Sequence, residues 1–305
     1  MNRHPVISFS YNDNAYTWFC LYRTKGIGNK KLHSIYRDYL DKGIDPSTFA
    51  SKDDVIIRKE FMNLRRNNVH IIHKGHHLYP AIIDNKLKDT APFILFSRGN
   101  LEILKKTGIA IVGSRHASDK GKQLARRFAS QLAEKGLSII SGYAKGIDEN
   151  AHLGALLVGG STIAVLSYGI LEFKMRPSFR QIKGFKNNFL AVSQFAPNDK
   201  WKGWRAMERN KLVCALSHAV IVIESGPERD PKTNKMSGTF HAAKTSLGLK
   251  TPLFVVDPDF LPSQPEGNKQ LIKMGGISIN PDYHDIASEI INKLHENPNR
   301  TLFTF

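Results

Sequence analysis

What the chain has little of narrows it first. Two cysteines in 305 residues, Cys20 and Cys214, leave no disulfide framework and no Cys-rich metal knuckle, and both lie in apolar helical contexts that read as buried thiols. No apolar run reaches 18 residues and the amino-terminal stretch is polar, so neither a membrane-spanning helix nor a signal peptide is expected, and the sequence reads as cytoplasmic. No repeat or low-complexity tract is present. Acidic residues are scarce: 27 Asp and Glu stand against 44 Lys and Arg, a net charge of +17. An excess of that size exceeds what solubility requires and draws polyanions.

What is there begins with residues 109–166. An apolar strand, Ile109 to Val112, breaks at Gly113-Ser114-Arg115, where a glycine lets the backbone turn toward an anion. Ser118 or Asp119 then caps a helix whose apolar face is Leu124, Ala125, Phe128, Leu132 and Ala133, ending at Gly136. A second strand, Leu137 to Ile140, runs into Ser141-Gly142-Tyr143-Ala144-Lys145-Gly146-Ile147-Asp148 and another helix, and a third strand covers Ser161 to Leu166. This is a phosphate-binding βαβ pattern, and in a doubly wound sheet its turns share the rim where ligands bind. Nicotinamide and flavin enzymes want G-x-G-x-x-G after the first strand and an acid near the end of the second. The chain offers neither, so no cofactor is expected.

Further strands are expected at Val69 to His73, Pro92 to Phe96, Phe189 to Val192, Ala219 to Ile223 and Pro252 to Val256, with helices around Ala206 to Leu216, Gly238 to Leu247 and Tyr283 to Glu296. The expected fold class is α/β, an extended Rossmann-like, doubly wound, mostly parallel sheet with a small amino-terminal helical domain. That domain is expected at 1–65 and the sheet domain at 66–305. Within the first, Gly26-Ile27-Gly28-Asn29-Lys30-Lys31 has the form of a helix-hairpin-helix turn and is either a phosphate site or a structural turn.

Two constellations carry two readings each, and a third carries one. Trp201-Lys202-Gly203-Trp204-Arg205 through Lys211 mixes indoles with cations as a single-stranded nucleic acid requires, or else an indole is core. Asp148 and His152 form either an acid-base dyad or a capping arrangement. His73, His76 and His77 lack acidic or thiol neighbours, so no metal site is expected.

At this point the residues resemble a known family, the DNA-processing protein A family (DprA, also called Smf). The resemblance lies in Leu78-Tyr79-Pro80, Ala91 to Phe96 with Gly99-Asn100, Ile111 to Arg115, Ser141 to Asp148 with Ala151-His152, Glu208 to Lys211, Ser237-Gly238-Thr239 with Ala242-Ala243, and Gly267-Asn268 with Leu271-Ile272. The blocks come in family order and span about residues 16 to 280. The resemblance implies a single-stranded DNA-binding protein, not an enzyme, acting in DNA uptake or recombination. It further implies a homodimer and delivery of single strands to a RecA-type recombinase. Backbone N–H groups at Gly113-Ser114 and Ser237-Gly238-Thr239 are expected to cradle phosphates. Arg115, Lys145, Arg209 and Lys211 supply charge, Asn210 adds polar contacts, and Ser141, Gly142 and Gly146 are expected to bind phosphate from the second turn.

Departures limit the carry-over. The family's winged-helix module is absent from the sequence after Gly276, the run Ile170 to Pro177 replaces a G-L-D…Y-P segment, Ser193-Gln194 replaces Ser-Glu, and Gly226 to Met236 is an apparent insertion, read as a lid or partner contact or as solvated loop. The alternative function is a nucleotide-binding sensor or nucleotide hydrolase. Phosphoribohydrolases of related fold carry P-G-G-x-G-T-x-x-E, and Ala242 stands where that glutamate falls, which disfavours hydrolysis.

Overall fold

The computed structural model describes residues 14–50 and 54–296. The stretch read for a signal peptide and the outer ends of both expected domains lie outside those residues. Nine strands form one sheet: β1 (His70–His73), β2 (Ile94–Gly99), β3 (Gly108–Val112), β4 (Ser138–Ser141), β5 (Thr162–Val165), β6 (Phe189–Ser193), β7 (Ala219–Val222), β8 (Leu253–Val256) and β9 (Ile277–Ile279). Their order is β1-β2-β6-β5-β4-β3-β7-β8-β9. All pairs from β6 through β9 are parallel, and β2 is antiparallel to both β6 and β1.

Alternation of side chains along buried strands sorts the core into layers. Ala110 and Val112 of β3 face the cluster holding Leu212, Val213 and Phe240, whereas Ile109 and Ile111 face the cluster holding Phe128, Leu132 and Ile290. The first layer is built by α4 (Ala81–Leu87), α9 (Gly203–Leu216), α10 (Gly238–Gly248) and α11 (Glu266–Lys273). The second is built by α5 (Asp119–Glu134), α6 (Ile147–Leu157) and α12 (Ile286–His295). Ser118 is the cap of α5, its Oγ accepting from the Gly121 N–H at 3.0 Å.

Helices α1 (Asn14–Arg23), α2 (Asn29–Lys42) and α3 (Val55–Arg66) put Trp18, Phe19, Leu32, Ile35 and Phe61 into one apolar cluster with Phe96 of β2 and Phe189 of β6. The Gly-Ile-Gly turn is stapled to the segment that leads into β2, because the Asn29 amide donates to the Ala91 carbonyl and accepts from the Phe93 N–H, both at 2.8 Å. Two short helices, α7 (Pro177–Arg180) and α8 (Phe185–Asn188), lie in the connection from β5 to β6. Both cysteines are buried thiols. Among the described residues, no helix is long and apolar enough to cross a membrane.

Some boundaries differ from expectation. Strand β2 starts at Ile94 and runs on to Gly99, because Arg98 and Gly99 pair with Ala191 and Leu190 although neither is apolar. Strand β9 and helices α4 and α11 carry no expectation from the sequence.

Candidate nucleic-acid interface

From β3 the sheet extends through β4, β5 and β6 on one side and through β7, β8 and β9 on the other. Where strand order reverses, connections leave the carboxyl ends in opposite directions and open a crevice. Here it is a cleft of about 550 Å³. It brings together Gly113, Ser114 and Arg115 after β3, Gly142 after β4, Arg209 and Asn210 of α9, and Ser237, Gly238 and Thr239 at the start of α10. Four expected residues are outside its lining. Ser141 lies beneath, its Oγ donating to the Ile111 carbonyl at 2.6 Å. Gly146 has φ +78°, and a β-carbon there would strike the Ser114 carbonyl, so this glycine lets the two turns touch. Lys145 is exposed beside them. Lys211 pairs with Glu208 at 2.9 Å, and two residues along a helix is about 200° of rotation, so it cannot share the face of Arg209.

The backbone donors differ between the turns. The Ser114 N–H donates to the Glu224 carbonyl at 2.8 Å, so it is not available for the phosphate cradle expected there. The same turn's Ser118 donates from N (3.1 Å) and Oγ (2.7 Å) to the buried Glu224 carboxylate. At α10 the N-cap Ser237 accepts from the Phe240 N–H at 3.3 Å. The N–H groups of Gly238 and Thr239 have no acceptor within their own helix, and these residues line the cleft at the positive end of the helix dipole. The Asn210 amide donates to the Gly238 carbonyl at 2.9 Å and fixes α9 against that helix start.

Arg209 forms the floor. It is 5% exposed and stacked so closely on Gly142 that a β-carbon at 142 would occupy the guanidinium's place. Nη1 donates to the Val165 carbonyl at 2.9 Å, and Nε is buried with no acceptor among the described residues. A guanidinium has five N–H groups to satisfy. Burial lowers its pKa, opposed by the charge of Asp148. Asp148, also buried, accepts from the Ala144 N–H at 3.2 Å, and burial pushes its carboxyl above the usual range against the pull of Arg209.

Asp148 and His152 do not pair. His152 Nδ1 lies 2.7 Å from Thr162 Oγ1, whose proton goes to the Ile139 carbonyl at 2.7 Å, so Nδ1 must donate. Aromatic rings of Tyr143, Phe179 and Phe189 surround the imidazole. Burial, with the charges of Arg176 and Arg209, brings its pKa down to about 3, so the ring is neutral. Tyr143 above it holds φ +59°, a left-handed backbone rare for a bulky residue.

Both indoles of the basic segment are outside the core, Trp201 at 54% and Trp204 at 60% exposure. Arg115 stands 5.8 Å from the Trp201 ring, and Arg205 stands 5.1 Å from Trp204 while pairing with Asp199 at 2.6 Å. Trp201 lines the cleft, as do Pro227, Asp230, Thr233, Lys235 and Met236. The apparent insertion is therefore a wall of the site, folded on itself by an Arg229–Met236 bridge and by Asp230 accepting from the Thr233 N–H at 2.7 Å. Sequence reasoning missed Glu224 and Asn268 as supports. Asn268 is fully buried, donates to the carbonyls of Ile223 (2.9 Å) and Val256 (2.8 Å), and accepts from the Ser225 N–H at 2.8 Å.

A doubly wound, mostly parallel sheet with a cationic cleft at its switch point defines a Rossmann-like α/β protein. Residues 70–291 match the family model of DNA recombination-mediator protein A, and the chain belongs to that family. It is 32% identical over 185 residues to DNA processing protein DprA of Streptococcus pneumoniae, covering 61% of this chain and 62% of that one. It is 32% identical over 211 residues to protein Smf of Escherichia coli, covering 67% and 54%. The chain thus spans between half and two thirds of the length of these curated relatives. The crystal structure of the Streptococcus pneumoniae protein shares the fold, with a TM-score of 0.68 at 24% identity over 90% of this chain and 96% of that one. A structure of DNA processing protein A from Helicobacter pylori, described for its single-stranded DNA binding mode, matches with a TM-score of 0.59 at 26% identity over 75% and 96%.

Proposed function

We propose that the cleft binds the phosphate backbone of single-stranded DNA and that the protein is a non-enzymatic DNA-processing factor acting in uptake or recombination in the cytoplasm. The observation that carries this reading is Arg209, a guanidinium whose charge lines the floor of the cleft beside the start of α10. A phosphate in the cleft meets that charge. The α10 amides, Arg115 and the exposed Trp201 complete a site for backbone and base. The Helicobacter pylori relative's described binding mode supports it. Within this reading the protein works as a homodimer and hands its strand to a RecA-type recombinase, and Lys145, Gly146 and Lys211 act around the cleft rather than within it.

The test is a fluorescence-anisotropy titration of an unstructured oligonucleotide and its duplex, at low and near-physiological salt, with a mononucleotide as competitor. Tight binding that prefers the single strand, weakens steeply with salt and resists the mononucleotide is the expected result. A cleft of about 550 Å³ also fits one nucleotide, which favours a nucleotide sensor as the second reading. Weak strand binding with strong mononucleotide competition would choose that reading instead.

A further inference from the structure

Between Glu172 and Asp199 the chain has no acidic residue, yet it carries Lys174, Arg176, Arg180, Lys183 and Lys186. Apolar residues dock this connection. Phe173 and Phe179 are buried, and Ile182 and Phe185 pack against the cluster that contains Phe189. Lys174, Arg180, Lys183 and Lys186 are left exposed, and among the described residues none of the four is in an ion pair. A surface lysine with a carboxylate three or four residues away can pair with it, as in Lys42–Asp38, Lys122–Asp119 and Lys211–Glu208, and between residues 173 and 198 no such carboxylate exists. An unneutralised run of cations held on a rigid apolar base is what a polyanion's backbone requires.

Arg176 joins this run to the cleft. Its N–H donates to the Tyr143 hydroxyl at 2.9 Å, Nη2 donates to the Tyr143 carbonyl at 3.0 Å, and Nη1 pairs with Glu149 at 3.0 Å. The Tyr143 hydroxyl in turn donates to the Lys174 carbonyl at 3.0 Å. Tyr143 lies between Gly142 and Ala144, both of which line the cleft. Because β5 and β6 are parallel, their connection starts at the cleft end of the sheet and must return to the opposite end. It carries its cations over about 16 Å, the length of a five-residue strand.

We propose that residues 174–186 form a second phosphate track, which takes the single strand where it leaves the cleft. The proposal rests on the single-strand reading of the cleft. The track holds backbone by charge alone, since of its two aromatic residues Phe179 is buried and Phe185 packs against the apolar cluster; it adds affinity and salt dependence without base preference.

The test compares the wild-type protein with the variant K174Q/R180Q/K183Q/K186Q and with a charge-matched control, K59Q/K88Q/K250Q/K273Q, whose four lysines are exposed and outside both cleft and track. Each is titrated by anisotropy with thymidine oligonucleotides of about six and about twenty nucleotides, lengths that bracket common single-strand site sizes. Circular dichroism and thermal melting check that each variant is folded. The track variant is expected to bind the short oligonucleotide within about twofold of wild type and the long one at least about tenfold more weakly, with the log–log salt slope for the long one shallower by up to about three. The control is expected to bind both as wild type does. Unchanged binding of the long oligonucleotide, equal loss on both lengths, or an equal loss in the control overturns the track and leaves the cleft standing. A wild-type protein that binds neither oligonucleotide overturns the cleft reading itself.

Discussion

The turns after β3 and β4 meet at one cleft and are built in opposite ways. The first spends its backbone and hydroxyl donors on Glu224 and sends Arg115 outward against an exposed indole. The second is compressed: Gly142 lies under a buried guanidinium, Tyr143 takes a left-handed backbone, and Asp148 and His152 sit beneath as buried titratable groups. The lesson is that two arginines of one site are separated by burial. Under the proposed reading Arg115 acts on a ligand and little else, whereas Arg209 serves both fold and ligand, so loss of binding at 209 reports on both.

Four measurements sharpen or break that contrast. The largest effect is expected from Arg209→Ala, which empties the space the guanidinium fills against Gly142, removes its bond to the Val165 carbonyl and takes away the charge that opposes the burial of Asp148, at a cost of about 2–3 kcal/mol in urea unfolding. Adding Asp148→Asn should recover part of the loss, and Gly142→Ala should approach it by expelling the guanidinium. Wild-type stability after Arg209→Ala would place the guanidinium outside the fold's support.

Next comes pH. His152 has a native pKa of about 3 against 6.5 for the free side chain, lowered first by burial. The unfolded chain takes up a proton below 6.5 that the native ring refuses until about 3, so stability is complete above 6.5 and falls with acidification through that window. The slope from this group is about 1.4 kcal/mol per pH unit, and His152→Leu should flatten it. An identical pH profile in the variant would show that another group dominates.

Glu224→Gln should cost about 1.5 kcal/mol, because it weakens charge-assisted bonds from Ser118 that hold the first turn. The smallest stability change, under about 0.5 kcal/mol, is expected for Arg115→Ala at an exposed position. That variant should weaken single-strand binding across sequences and reduce the salt slope by something under one. Unfolding by Arg115→Ala would erase the distinction between the turns.

The strands of the parallel core were legible because they are short apolar runs bounded by glycine and polar turns. Strand β9 was not, since three residues between Gly276 and Asn280 give no period to read. Helix α4 has seven residues and α7 and α8 four each, too short for a 3.6-residue pattern. In the site, Gly113, Gly142, Ser237 and Gly238 could be placed by motif. The unlike fates of Arg209 and Lys211 could have been anticipated from helical rotation, which puts neighbours two apart on opposing faces. The commitment of the Ser114 amide to Glu224 could not, because it joins residues 110 positions apart.

Asn268 has a consequence for the order in which the protein is made. Its one amide clips the carboxyl ends of β7 and β8 to Ser225, the residue from which the cleft's hairpin wall departs. Arg115, Arg209 and the α10 amides all leave the ribosome earlier, yet the wall they work against is pinned only when residue 268 has followed. A strongly basic chain thus emerges beside ribosomal RNA before the wall of the cleft is in place, and the cleft takes its shape only once residue 268 has been added.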